Sequence, residues 1–143
     1  MNCAMELVAM NLASKNAEQK RREELISSAR ARTINFCETH IDPVLTKKAK
    51  MASCDYIGTD ILFGTGTLCG VDVLYPLRDK GALYANGTHS YDEDNNQPML
   101  ESVFTEYLNQ HCLNVEWVKG YYHTYGCGQY SGRRMYVSVP VIK

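Results

Sequence analysis

Cys127 lies between Gly126 and Gly128, with His123 four residues upstream. These are the residue types of a thiol nucleophile and its base, and flanking glycines would leave room for a substrate. On a flat strand, positions four apart are separated by two pleat repeats, too far for a hydrogen bond unless the glycines bend the chain. A bulge with a buried thiol is the plainer reading. A zinc site would draw on His111, Cys112, His123 and Cys127, ligands of the right type for tetrahedral coordination. The chain has no C-x-x-C pair, and His111 and Cys112 are neighbours that diverge at a helix end. Asp92, Asp94 and Asn96 imitate the first ligands of a calcium loop but lack its glycine and terminal glutamate. Gly64-Thr65-Gly66 resembles a phosphate-cradling turn without the lysine, hydroxyl or following helix that phosphate binding requires. The sequence therefore predicts no catalytic residues, no metal and no cofactor. A small ligand-binding or hydrolytic protein built on Cys127 and His123 is the alternative.

A second group of residues suits recognition. Tyr121, Tyr122, Tyr125 and Tyr130 gather with Arg133 and Arg134 near one expected hairpin, and tyrosine and arginine are enriched at interface hot spots. Strand alternation puts Tyr122 on the outward face with Glu116 and Tyr136. The candidate partner-binding residues are Tyr122, Tyr125, Tyr130, Arg133 and Arg134. Packing of the same rings against a helix is the competing structural role.

These residues must be positioned by a chain that divides by backbone freedom. Residues 1–52 hold one proline and no glycine, and all ten glycines lie from Gly58 onward. A helical part is expected over 1–52 and a sheet-and-helix part over 53–143, within a single domain. Ile26, Ala29, Thr33, Ile34, Cys37 and Ile41 have helical spacing. The polar stretch Lys15 to Glu24 upstream of them projects into solvent or packs on another chain through its apolar ends. Asp42-Pro43 reads as an N-cap followed by proline, restarting a short helix through about Met51 as a hairpin or a kinked rod. Strands are expected at Asp55 to Phe63 and Val71 to Leu74, and a hairpin at Ala82 to Tyr91 around Asn86-Gly87. Pro98 should open a helix that buries Leu100, Val103, Phe104, Tyr107 and Leu108.

Two strands close the chain, one alternating at Leu113, Val115 and Trp117, the other at Met135, Val137, Val139 and Val141. Because facing residues share a sheet face, odd positions must pair with odd. A three-residue loop at Tyr130-Ser131-Gly132 satisfies this and places Tyr125 across from Val137. A loop at Gly126-Cys127-Gly128 satisfies it too and places Trp117 there. The fold class is α+β: N-terminal helices, then an antiparallel-rich sheet carrying one helix, ending in a β-hairpin.

Composition excludes several classes of function. The 143 residues are 45% hydrophobic and 22% charged with a formal charge of -1, so a disordered chain and a dedicated polyanion binder are both disfavoured. Residues 1–50 carry nine basic and six acidic groups, and the remainder six and ten. Lys20-Arg21-Arg22 and Lys47-Lys48 are read as solvated helix faces. Six dispersed cysteines are expected as reduced thiols. The short apolar stretch from Leu7 to Leu12 has neither the basic start nor the cleavage pattern of a signal peptide, and no apolar run reaches bilayer length. A cytoplasmic protein with no membrane partner is expected, and Asn86-Gly87-Thr88 is read as a turn rather than a glycosylation site.

The polar N-terminal helix, the Met99 to Trp117 helix-to-strand passage and the ending Tyr-Gly-Cys-Gly-Gln-Tyr-Ser-Gly-Arg-Arg together resemble, in style, short accessory proteins of bacteriophages and mobile elements. Some proteins of that kind, anti-CRISPR inhibitors among them, act by covering a surface of a host defence complex. The resemblance implies a small non-catalytic protein-binding protein, with a host nuclease or defence complex as partner, and it transfers no functional residues. Nucleic acid is left open as a partner. Self-association would run through the N-terminal helix.

Overall fold

The computed structural model describes residues 1–65, 77, 80–85, 97–125 and 128–140. Without glycine or proline before Pro43, the chain forms one helix, α1, over Ala4–Phe36. It passes through a π-turn at Cys37–Ile41 into α2, Asp42–Ala49. The rod is kinked rather than folded into a hairpin, and Asp42 is the first residue of α2, not its cap. Pro43 has no N–H for the carbonyl of Thr39 and crowds it, so the turn before it widens and Asp42 donates its N–H to Cys37 instead. The wider turn also serves the core. Ala29, Thr33, Cys37, Ile41 and Leu45 are all buried, each four residues from the next. In an α-helix each such step overshoots a turn by about 40°, and the π-turn brings the stripe back toward the sheet.

The sheet comprises β1 (Gly58–Thr65), β2 (Ala82–Ala85), β3 (Met99–Leu100), β4 (Asn114–Tyr125) and β5 (Gly128–Ser138). Its order is β3-β2-β1-β5-β4, with every neighbouring pair antiparallel. The protein is α+β, as its residue patterns predict. Helix α3 spans Glu101–Gln110, and Pro98 does not open it. Met99 and Leu100 pair with Leu83 and Ala82 as an edge strand first, and the backbone turns helical only at Glu101. Val71 to Leu74 and the Asn86-Gly87 turn with the strand beyond it lie outside the described residues; β2 pairs with β1 and β3.

The terminal pair departs from both loops considered. Val115 faces Val137 and Trp117 faces Met135, while nearer the tip Tyr125 faces Gly128. Tyr125 with Gly128 is an odd-to-even pair, and a register shift between Lys119 and Tyr121 reconciles it with the odd-to-odd pairing at the base. Neither Tyr130-Ser131-Gly132 nor a three-residue loop at 126–128 is the connection.

The helices cover one face of the sheet. Phe63, Leu83, Met99, Phe104, Leu108, Met135 and Val137 form the main core with the buried stripe of the π-turn and α2, flanked by Val115 and Trp117. The Phe63 and Phe104 rings lie 5.1 Å apart, and Phe36 meets Phe104 edge-on at 5.8 Å. A second cluster joins Ala29, Leu77, Ala82, Leu100 and Val103.

Candidate functional site

Cys127 lies outside the described residues, as do Asp92, Asp94, Asn96 and Gly66, and His123 is placed only as a register partner of Tyr130. His111 and Cys112 end α3 exposed. Among the described residues no three His, Cys, Asp or Glu side chains converge as a metal site, and Cys3, Cys37, Cys54 and Cys112 are free thiols.

Of the candidate recognition residues, Tyr122, Tyr125 and Tyr130 are fixed by register, opposite Ser131, Gly128 and His123. The shift after Lys119 breaks the alternation that grouped Tyr122 with Glu116 and Tyr136. Arg133 and Arg134 point to opposite faces of β5. Arg133 pairs with Glu101 in the first turn of α3, on the helix side, while Arg134 Nη1 is 2.6 Å from Asp60 Oδ2 on the open side. Both guanidinium groups hold partners within the fold, so the two do not make a common patch.

A groove of about 490 Å³ lies at the far end of the rod. The π-turn and α2 form one wall, the end of α3 the other, and the chain around Ile57 and Val139 the floor. Ile41, Leu45, Ile57, Leu108, Leu113 and Val139 give it an apolar lining, with Glu38 and Asp42 one turn apart beside them. Tyr107 donates its hydroxyl to Glu38 at 3.4 Å, and its ring meets that of His111 at 4.4 Å with the planes tilted by 45°. His111 Nδ1 lies 2.8 Å from the Tyr107 carbonyl, which can only accept, so that nitrogen bears the proton in this contact. Burial, then the Glu38 carboxylate, pushes the Tyr107 hydroxyl above its ordinary value. Burial likewise raises the Cys37 thiol to about 12, which leaves it protonated and unreactive at neutral pH.

The opposite end of α1 is an arm. From Met1 to Glu24 every residue is exposed except the half-buried Glu18, a reach of roughly 30 Å at 1.5 Å per residue. Its polar stretch is braced internally, with Glu18 accepting from Arg21 at 2.9 Å and Arg22 at 3.4 Å. Its first turns are apolar. Met5, Leu7, Val8, Met10 and Leu12 are between 52% and 83% exposed, although side chains of these types are ordinarily found inside. At 100° per residue, Met5, Val8 and Leu12 form one side and Leu7 and Met10 the other. The stretch from Leu7 to Leu12 carried the signal in the sequence. It is one of the apolar ends through which the sequence places a contact with another chain. The groove left no local pattern, because its walls come from segments far apart in the chain.

Compared with protein-family models, curated proteins and solved structures, the chain matches none. The fold and these two features define a two-layer α+β protein with a projecting apolar helix and an acid-edged apolar groove. Among the described residues no helix is long and apolar enough to cross a membrane.

Proposed function

We propose that this is a non-catalytic protein-binding protein whose binding element is the N-terminal arm of α1. The observation that carries the reading is the set of large apolar side chains from Met5 to Leu12, exposed on a helix that has no packing partner over these residues among those described. A soluble fold gains nothing from holding such a helix in water, whereas an amphipathic or apolar helix laid into a groove is a recurrent recognition mode. Apolar residues on both sides of the arm suit a cleft that encloses it rather than a flat surface. On the phage-protein resemblance, the partner is a component of a host nuclease or defence complex.

The arm displaces the terminal hairpin as the leading surface, since Arg133 and Arg134 are engaged within the fold. Affinity capture with wild type, with Val8→Asp/Leu12→Asp and with Tyr122→Ala/Tyr130→Ala tests the choice. Loss of a specifically captured protein in the arm variant alone supports the reading. Loss in the tyrosine variant alone moves the site to the hairpin.

A further inference from the structure

We infer that the arm of one copy occupies the groove of a second copy, and that two chains exchange arms reciprocally. This rests on the reading of the arm as a binding element and gives the arm of the free protein an occupant, a second copy, which the partner proposed above would displace. Met5, Val8, Leu12 and Lys15 follow one another at spacings of three, four and three residues along one side of α1. That side presents three apolar side chains and then a cation. The groove presents complementary chemistry, an apolar lining from Leu45, Ile57, Leu108 and Val139 beside the carboxylates of Asp42 and Glu38. Lys15 is exposed on a segment whose Glu18 already serves Arg21 and Arg22. Its ammonium is therefore available to the acidic edge of a neighbour.

The contact has to be intermolecular. Arm and groove lie at opposite ends of one continuous rod, α1 running unbroken to Phe36 before the π-turn. Between Leu12 and Cys37 that helix spans roughly 37 Å, and it has no glycine, proline or loop at which to fold back. Exchange sets the two α1 helices antiparallel, so one two-fold axis generates both insertions and the assembly closes as a dimer. One three-turn helix in a groove is small for a stable interface, and the reciprocal insertion doubles it.

The test is complementation between variants of the full chain, read by sedimentation velocity. Ala49, exposed at the groove, is changed to Trp to fill it, and the arm is disabled by Val8→Asp/Leu12→Asp. Wild type should dimerise, and each variant alone should be monomeric with an unchanged far-UV spectrum. An equimolar mixture at hundred-micromolar concentration should form a heterodimer weaker than the wild-type dimer, because one intact arm still meets one intact groove. Lys15→Glu, a substitution on an exposed position that cannot unfold the core, should weaken the wild-type dimer by up to about fivefold per insertion, and Asp42→Lys in the mixing partner should restore it. A monomeric wild type at hundred-micromolar concentration overturns the inference, as does a mixture that stays monomeric while Ala49→Trp alone still dimerises, which would signify arm-to-arm pairing. If wild type is monomeric yet the arm variant loses a captured partner, the inference fails and the binding role of the arm stands.

Discussion

Thr33 Oγ1 accepts the backbone N–H of Leu100 at 3.1 Å, a buried bond across 67 positions of sequence that ties α1 to the edge strand β3. The same hydroxyl donates to the carbonyl of Ala29 at 2.7 Å, so it is satisfied in both senses and can sit fully buried on the stripe. Thr33→Val keeps the shape and leaves the Leu100 N–H without its acceptor. An orphaned buried donor costs about 1–3 kcal/mol, and chemical denaturation should show a loss of that size. Thr33→Ser should recover most of it. No loss in Thr33→Val together with a loss in Thr33→Ser would assign the effect to packing of the methyl group instead.

Arg133 and Arg134 should separate by the exposure of their partners. Arg133 and Glu101 are both less than one-third exposed, and Glu101 also faces the positive end of α3. Asp60, beside Arg134, is nearly half exposed. Removing one member of a partly buried pair strands the other, so Arg133→Ala should cost on the order of 2 kcal/mol, and Arg134→Ala no more than about 1 kcal/mol. Urea unfolding of the two single variants measures the difference, and equal costs would mean that Arg133 is more hydrated than its position suggests.

The elements that were legible in the sequence are those whose burial follows one local period. Ala29, Thr33, Cys37 and Ile41 repeat on the rod, Val103, Phe104 and Leu108 on α3, and Val115, Trp117, Met135 and Val137 alternate, and each set packs where that pattern directs it. What misled was two-body information. Pro98 looks like a helix opener, but the strand bonds of Met99 and Leu100 to β2 hold the backbone extended for two more residues. Parity alone selects a three-residue loop for the last hairpin, and the shift at Lys119 supplies the missing residue by another route. The groove was illegible for the same reason, since Leu45, Leu108 and Val139 are brought together only by tertiary packing.

Cys112 has φ of 60°, in the left-handed region. It occupies the position where helices commonly end on glycine: its N–H bonds the carbonyl of Asn109, and the N–H of Leu113 reaches back to Leu108. A side chain there costs about 1–2 kcal/mol, part of which glycine returns through its freer unfolded chain. Cys112→Gly should therefore raise stability by roughly 0.5–1 kcal/mol. Thermal unfolding checks it, and Cys112→Ala, which keeps the Cβ, should show no such gain.

Cys37 makes stability pH-dependent on the alkaline side. Its thiol titrates from 9.0 in an unfolded chain and near 12 when buried in the fold. Over that interval the folded state holds a proton that the unfolded state has released, so stability is intact below about 9 and falls as pH rises toward 12. Cys37→Ala should remove part of this slope while lowering stability uniformly through the lost packing. Guanidinium unfolding across the alkaline range decides it, and identical slopes in the two proteins would show that Cys37 is hydrated in the fold.

The arm should be the least protected regular structure in the molecule at dilution. Helix 4–24 has no buried face, and a helix without tertiary packing is marginal even with good propensity, whereas 26–36 is held by Ala29, Thr33 and the Leu100 bond. Amide hydrogen exchange should therefore show fast exchange over residues 4–20 and slow exchange from Ala29 onward, although both belong to one continuous helix. Because the arm adds nothing to the core, Val8→Asp/Leu12→Asp should shift global stability by no more than about 0.5 kcal/mol in the monomer. Raising protein concentration should protect residues 5–15 in wild type and not in that variant. Protection of the arm at every dilution would instead mean that it packs within its own chain.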